Sequence, residues 1–357
     1  MAAKVEEAYR ISADQLIEVS GNRKIIPCTT SSDIGLSGGV PLGATVVVAG
    51  KSKAGKTTFS LQCAAHAQQK FGSKVFFFNI EGRLSKQVLS QVRGLKKDID
   101  SFEVIMPPVI EDRKGNVVSH KKWYGEQWWD EIGKTIQDHP NSILIVDSIA
   151  NMSSEKEVSE DMGYQDRGGR QKLEAQFCRK YGDLVVPNEV TLFLLTQIQA
   201  NTSGYGSPVL PKVGNGIKHQ ADIIMFCKKV EQWKPDSLGR SHGHNMVYQV
   251  DCSALGPPMA NVSIPLRYGY GIDDLQDTFN YAVELDIIRK GGAWYTFPYI
   301  EQNEKIEYID LDKLKNKEVP IKVQGEEKCR SWLIKNPDLY KSLQSEVRKK
   351  IFGDETS

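Results

Sequence analysis

Gly50-Lys51-Ser52-Lys53-Ala54-Gly55-Lys56-Thr57, followed by Thr58, fits the pattern G-x-x-x-x-G-K-[ST], and its flanks constrain the chain around it. Residues 44–49 ahead of it form an apolar run that reads as a buried strand. Residues 57–71 behind it alternate apolar and polar at helical spacing. Gly50 and Gly55 permit backbone angles that turn successive N–H groups towards one point, and a helix N-terminus adds partial positive charge there. Strand, glycine turn and helix in that order make a phosphate cradle, which a chance glycine-rich turn would not need. Lys56 is then placed to reach the β- and γ-phosphates of a nucleoside triphosphate, and the Thr57 hydroxyl to hold Mg²⁺.

A chain of 357 residues can bury a large core and carry appendages. Its 46 Lys+Arg against 45 Asp+Glu leave a formal charge of +1, so bulk charge names no polyanionic partner. Any nucleic-acid surface must come from local arrangement. Cys28, Cys63, Cys178, Cys227, Cys252 and Cys329 are scattered without a C-x-x-C pair, which predicts reduced thiols rather than a disulfide frame or a zinc site. The charged N-terminus lacks a signal peptide's apolar stretch and no run approaches membrane-spanning length, so a soluble cytoplasmic protein with no membrane partner is expected.

Residues 4–20 carry Val5, Tyr9, Ala13, Leu16 and Ile17 at helical spacing and predict an N-terminal helical arm. Strand signals at 74–80, 142–147, 190–197 and 221–230, with helical stretches between them, predict an α/β fold with a parallel sheet. Residues 107–122 read as an exposed loop or hairpin, and 231–250 as a hairpin. Trp123, Trp128 and Trp129 sit at helical spacing that favours covering the core over stacking on bases. Past Gly271 come helices, a short β stretch near 292–298 and a basic terminal helix, a second small domain. His242-Gly243-His244 has no acid or cysteine at ligand spacing and reads as a hairpin turn rather than a metal site.

Residues 143–146 are apolar and end in Asp147, an acid placed to complete the Mg²⁺ site. Glu81 ends the apolar run 75–80, taken as a strand adjacent to the phosphate-loop strand, where it can orient or deprotonate the attacking water. Gln197 ends 191–196, and the Gly-, Ser-, Asn- and Pro-rich stretch 200–216 behind it has a mobile loop's composition. An amide there can contact the γ-phosphate and pass its presence to that loop.

Phosphate loop, strand-end Glu81, Ile143-Leu144-Ile145-Val146-Asp147-Ser148, strand-end Gln197, then a loop closing in Gly214-Asn215: this order resembles the RecA family of homologous recombinases. Residues 27–41 are similar to the family's entry segment. Gly271-Ile272, Gly292-Ala293-Trp294-Tyr295 and Trp332-Leu333-Ile334-Lys335-Asn336-Pro337 are similar to its bacterial C-terminal domain. The divergence is compatible with a phage-encoded member of the UvsX type. The resemblance implies a RecA-like ATPase core at 31–272, an N-terminal arm and protomer-docking strand at 1–30 and a C-terminal domain at 273–357. It implies Lys56, Thr57 and Asp147 on ATP and Mg²⁺, Glu81 activating water and Gln197 as the γ-phosphate switch. DNA-binding loops would fall at 153–170 and 198–216, with Arg167, Arg170, Lys172, Arg179, Asn201, Ser203, Gly214 and Asn215 as contacts to a single strand.

Bacterial members place two lysines across the subunit interface onto the neighbour's ATP, where this chain has Asp251-Cys252-Ser253-Ala254-Leu255. Asp251 and Leu255 resemble the ATP-capping segment of eukaryotic and archaeal recombinases, and His219 matches their interface histidine. On that likeness K⁺ or a second divalent cation near Asp251 replaces the lysines; the alternative is that Lys218, Lys228 or Lys229 supplies the charge. Val88 stands where a stacking tyrosine is common, and Tyr268 fits a family tyrosine that approaches adenine from the adjacent subunit. The implied activity is DNA-stimulated ATP hydrolysis by a helical filament on single-stranded DNA that pairs it with a homologous duplex. Mediator and single-strand-binding proteins are its implied partners, and Arg348-Lys349-Lys350 would gather duplex DNA. The rivals are a ring-forming hexameric helicase or clock-type ATPase, and a mediator that binds without turnover.

Overall fold

The computed structural model describes residues 12–15, 23–112, 117–161, 166, 168–201, 209–235, 237–253, 256–301 and 322–353. Most of the 4–20 arm, Arg167, Ser203, Ala254 and Leu255 lie outside these residues. Nine described strands make one sheet: β1 (Thr45–Ala49), β2 (Lys74–Asn79), β3 (Phe102–Ile105), β4 (Ser142–Asp147), β5 (Thr191–Thr196), β6 (Ile223–Gln232), β7 (Gly243–Ser253), β8 (Asn261–Arg267) and β9 (Gly271–Ile272). Their spatial order is β9-β8-β7-β6-β1-β5-β4-β2-β3. From β6 to β3 every pairing is parallel, while β7, β8 and β9 extend the other edge antiparallel. The α/β expectation holds.

Strands with helices on both faces have no solvated side, which is why β1 and β5 read as unbroken apolar runs. Alternation still sorts their side chains. Val46, Val48, Phe77, Ile143, Ile145, Phe193 and Leu195 share one core with Phe59, Leu61 and Ala64 of α1 (Lys56–Phe71). Val47, Phe76, Phe78, Leu144, Val146, Leu192 and Leu194 meet the other face. There Trp128, Trp129, Ile132 and Ile136 of α2 (Gly125–Asp138) and Phe177 and Tyr181 of α3 (Gly169–Tyr181) cover them. Trp128 and Trp129 are buried and Trp123 packs edge-on against Trp128, as the helical spacing predicts. Both predicted hairpins form, one from Val109–Glu111 and Val117–His120, the other from β6 and β7.

Residues 275–347 build a separate core from Leu275, Phe279, Tyr295, Trp332, Leu333, Leu339, Leu343 and Val347. It lies among α4 (Asp274–Glu284), a small antiparallel sheet, α5 (Glu326–Lys335) and α6 (Pro337–Phe352). Buried polar contacts fasten it to the main body. Asp273 accepts from Arg267 at 2.7 Å and from Arg330 at 2.8 Å, and Asp277 accepts from Ser31 N–H at 2.7 Å.

One expectation needs correcting here. Cys28 and Cys63 form a buried disulfide, their Cα atoms 5.0 Å apart although 35 residues separate them in sequence. The fold brings them together by laying residues 27–29 along α1, an approach that no local spacing could announce. Ile25–Ile26 pairs with Val40–Pro41 of its own chain, and Ile26 is fully buried. In the terminal basic trio Arg348 turns inward to Asp33 and Lys350 donates to the Leu285 carbonyl, while Lys349 and Lys350 stay exposed. Among the described residues no helix is long and apolar enough to cross a membrane.

Candidate active site

β1 delivers the phosphate loop at the carboxyl edge of the sheet, where Gly50 N–H donates to Thr196 O of β5 at 3.2 Å. Lys51, Ser52 and Lys53 form its exposed rim, and Ala54 is buried with its carbonyl accepting from the Tyr248 hydroxyl at 2.9 Å. Gly55 precedes α1 as its N-cap at φ +77°, a left-handed conformation that glycine adopts freely, and a Cβ there would lie 1.8 Å from Met246 Sδ. Lys56 Nζ donates to the carbonyls of Gly50 at 3.2 Å and Lys51 at 3.0 Å. Burial lowers its pKa, opposed by the charges of Asp147 and Glu81.

Thr57 Oγ1 donates to Asp147 Oδ2 at 2.7 Å, and Thr58 follows half-buried. One strand, β5, stands between β1 and β4, so the first turn of α1 reaches across it to bring hydroxyl and carboxylate together. Burial raises the Asp147 pKa; the Thr57 hydrogen bond and Lys56 oppose the rise, while Glu81 adds to it.

Glu81 does not follow a strand adjacent to β1. β5 and β4 both intervene before β2, because the chain crosses from β1 to β2 and only later fills the two places between them with β4 and β5. The acid still arrives beside Asp147. Its N–H donates to Asp147 O at 3.0 Å, and Ser148 Oγ donates to its Oε1 at 2.8 Å. Arg83 Nε lies 3.9 Å from its other oxygen. Ser148 and Arg83 carry no sequence signal for these roles.

Gln197 is exposed at the end of β5, and its carbonyl accepts from Lys212 N–H at 2.8 Å. Ile198–Ala200 and Val209–Pro211 pair antiparallel, so the expected loop rises on a two-stranded stem, with Asn201 at the end of its first strand. Past that stem, Gly214 N–H donates to the carboxylate of Glu174 in α3, and Arg170 sits 3.3 Å from the other Glu174 oxygen. Burial raises the Glu174 pKa against those two partners. The structure therefore joins both predicted loops through a buried glutamate that sequence reading missed, a mid-helix acid with no motif around it. Arg170 is turned to Glu174, whereas Lys172 and Arg179 are exposed along α3. Asn215 and His219 are exposed on the short helix Asn215–Gln220.

Asp251 and Tyr268 stand apart from the Thr57–Asp147 pair. Asp251 is exposed at an irregularity between β7 and β6, level with the middle of β1. Lys228 is also exposed. Tyr268 is half-exposed, with its hydroxyl 3.1 Å from His244 Nδ1. No three His, Cys, Asp or Glu among the described residues gather as a metal-holding group.

The family description "RecA N-terminal domain" matches residues 23–273. Protein RecA of a Nitratiruptor species is 25% identical over 346 residues, covering 94% of this chain and 88% of that protein. Protein RecA of Petrotoga mobilis is 27% identical over 335 residues, covering 93% of this chain and 81% of that protein. Protein RecA of Campylobacter hominis is 26% identical over 328 residues, covering 91% of this chain and 82% of that protein. With more than half of its length matched and the loop, strand-end acids and added C-terminal core in one order, the chain belongs to the RecA family.

Proposed function

We propose that this protein is a DNA recombinase that polymerises on single-stranded DNA with ATP, pairs that strand with a homologous duplex and hydrolyses ATP on the way. The observation that carries the reading is the 2.7 Å contact between Thr57 and Asp147, with Glu81 bonded to the same Asp147 backbone. A hydroxyl and a half-buried carboxylate are hard oxygen donors, a set that suits Mg²⁺. When bound, the ion would neutralise charge on the β- and γ-phosphates.

The residues then take distinct tasks. Residues 50–57 hold the triphosphate, with the Lys56 ammonium against its terminal phosphates. Glu81 accepts the proton of the attacking water, and the Ser148 hydroxyl keeps its carboxylate aimed. Gln197 reports the γ-phosphate to the stem Ile198–Ala200 and Val209–Pro211 and, through Gly214 and Glu174, to α3. Lys172, Arg179, Asn201 and Asn215, with Arg167 and Ser203, contact the DNA backbone; Arg170 and Gly214 hold the loops from behind. Residues 1–30 dock on the next protomer, 31–272 act as the ATPase core, and 273–357 form the C-terminal domain. His219 and Asp251 approach the neighbour's nucleotide, with K⁺ or a second divalent cation at Asp251. Ligand binding in the filament and DNA affinity are coupled because both favour one protomer arrangement.

ATP hydrolysis measured with and without single-stranded DNA tests the reading. Stimulation by DNA that is lost in Lys56→Ala supports it. ATP binding without turnover would favour a mediator, and turnover within closed six-membered rings a helicase.

A further inference from the structure

β6 and β7 run past the end of β1. Phe226 pairs with Ala49, the last residue of β1, and residues 227–232 continue beyond it with their partners on β7. The result is a wall beside the phosphate loop. Alternate β7 residues face that loop: Tyr248 through its bond to Ala54 O, Met246 against Gly55, and next His244. The wall stands on one side of β1, whereas Asp147 and Glu81 stand on the other, beyond β5. A nucleotide with its terminal phosphate towards Asp147 therefore extends its nucleoside towards the wall.

His244 is 7% exposed. Its Nδ1 lies 3.1 Å from the Tyr268 hydroxyl, and the two rings sit 5.4 Å apart at 53°. Its Nε2 is buried without a hydrogen-bond partner. Tyr268 is half-exposed, and its backbone N–H donates to His242 O at 2.9 Å. Burial lowers the imidazole pKa, so the neutral ring makes this contact. An unpartnered buried nitrogen is a penalty that a phenylalanine in the same place would avoid. What the imidazole adds is the bond to Tyr268.

We propose that His244 is a positioning residue that fixes the Tyr268 phenol at the nucleoside end of this chain's own phosphate loop, not at the adjacent subunit's adenine as the resemblance implied, setting nucleotide affinity without altering the hydrolytic step. The inference rests on the nucleotide-binding reading given above. Steady-state ATP hydrolysis by the full chain on single-stranded DNA, with melting temperature measured in parallel, tests it. His244→Phe should raise KM for ATP about fivefold, the size expected for one neutral hydrogen bond, and leave kcat within about twofold. Tyr268→Phe should do the same, and the double variant should be no worse than either single one. His244→Asn, which places an amide where Nδ1 stood, should keep a near-native KM. Additive effects, a loss that His244→Asn shares, or a native KM in His244→Phe would overturn the proposal while leaving wild-type turnover intact. A wild-type chain that neither binds nor hydrolyses ATP would overturn the nucleotide reading with it.

Discussion

Thr57 Oγ1 and Asp147 Oδ2, 2.7 Å apart at the mouth of the phosphate loop, belong to residues that sequence order alone marks as partners. Glu81 beside them depends on something the order does not reveal. Its carboxylate is held by Ser148 at 2.8 Å, so the two residues should fail differently. Glu81→Gln should lower kcat for ATP hydrolysis by about a hundredfold or more and retain ATP binding, the signature of a lost general base. Ser148→Ala removes only the aiming hydroxyl and should lower kcat about three- to tenfold. Single-turnover hydrolysis with equilibrium nucleotide binding separates the two. Equal losses in both variants would mean that Glu81 does not act on water.

Glu174 and Asp277 each hold two elements together through a buried carboxylate. Glu174 ties α3 to the segment after the Val209–Pro211 strand by way of Gly214 N–H and Arg170. Glu174→Gln should leave ATP hydrolysis without DNA unchanged and reduce its stimulation by single-stranded DNA about tenfold, the loss expected when a charged hydrogen bond is weakened. Undiminished stimulation would show that the two loops do not communicate through this contact. Asp277 lies between α4 and Ser31, and burial raises its pKa to about 7 against the hydrogen bonds from Ser31, with the neighbouring Asp274 charge adding to the rise. The folded state therefore binds this proton more tightly than the unfolded chain. Asp277 stabilises below its unfolded value near 3.8, and that contribution is lost as pH rises towards about 7. The stability of Asp277→Asn relative to wild type should accordingly improve between about pH 4 and pH 7 in urea melts. A difference independent of pH would contradict the assignment. The strands themselves are legible: β1, β2, β4 and β5 announce themselves as apolar runs ending in Gly50, Glu81, Asp147 and Gln197. Their spatial order is not, which is why chain order sets Glu81 next to β1 when two strands intervene. Periodicity encodes which face a side chain takes, whereas crossovers decide neighbours.

At the scale of the molecule, the main sheet and the core built around Trp332 are fastened by buried ion pairs, and Cys28–Cys63 fastens the entry segment to α1. Neither fastening has a local pattern in sequence, because each depends on residues far apart in the chain. Denatured without reductant, the purified protein should titrate four of its six thiols, namely Cys178, Cys227, Cys252 and Cys329; six would show that the bond does not form. The composition is nearly neutral, so affinity for DNA must come from a local arrangement of residues rather than from bulk charge. In the proposed filament, assembly on single-stranded DNA repeats that arrangement from protomer to protomer. Electron microscopy of the full chain with ATP, Mg²⁺ and single-stranded DNA tests for that filament. Extended helical filaments that shorten or dissolve when ATP is replaced by ADP are the expected result, and closed six-fold rings would rule out a recombinase filament.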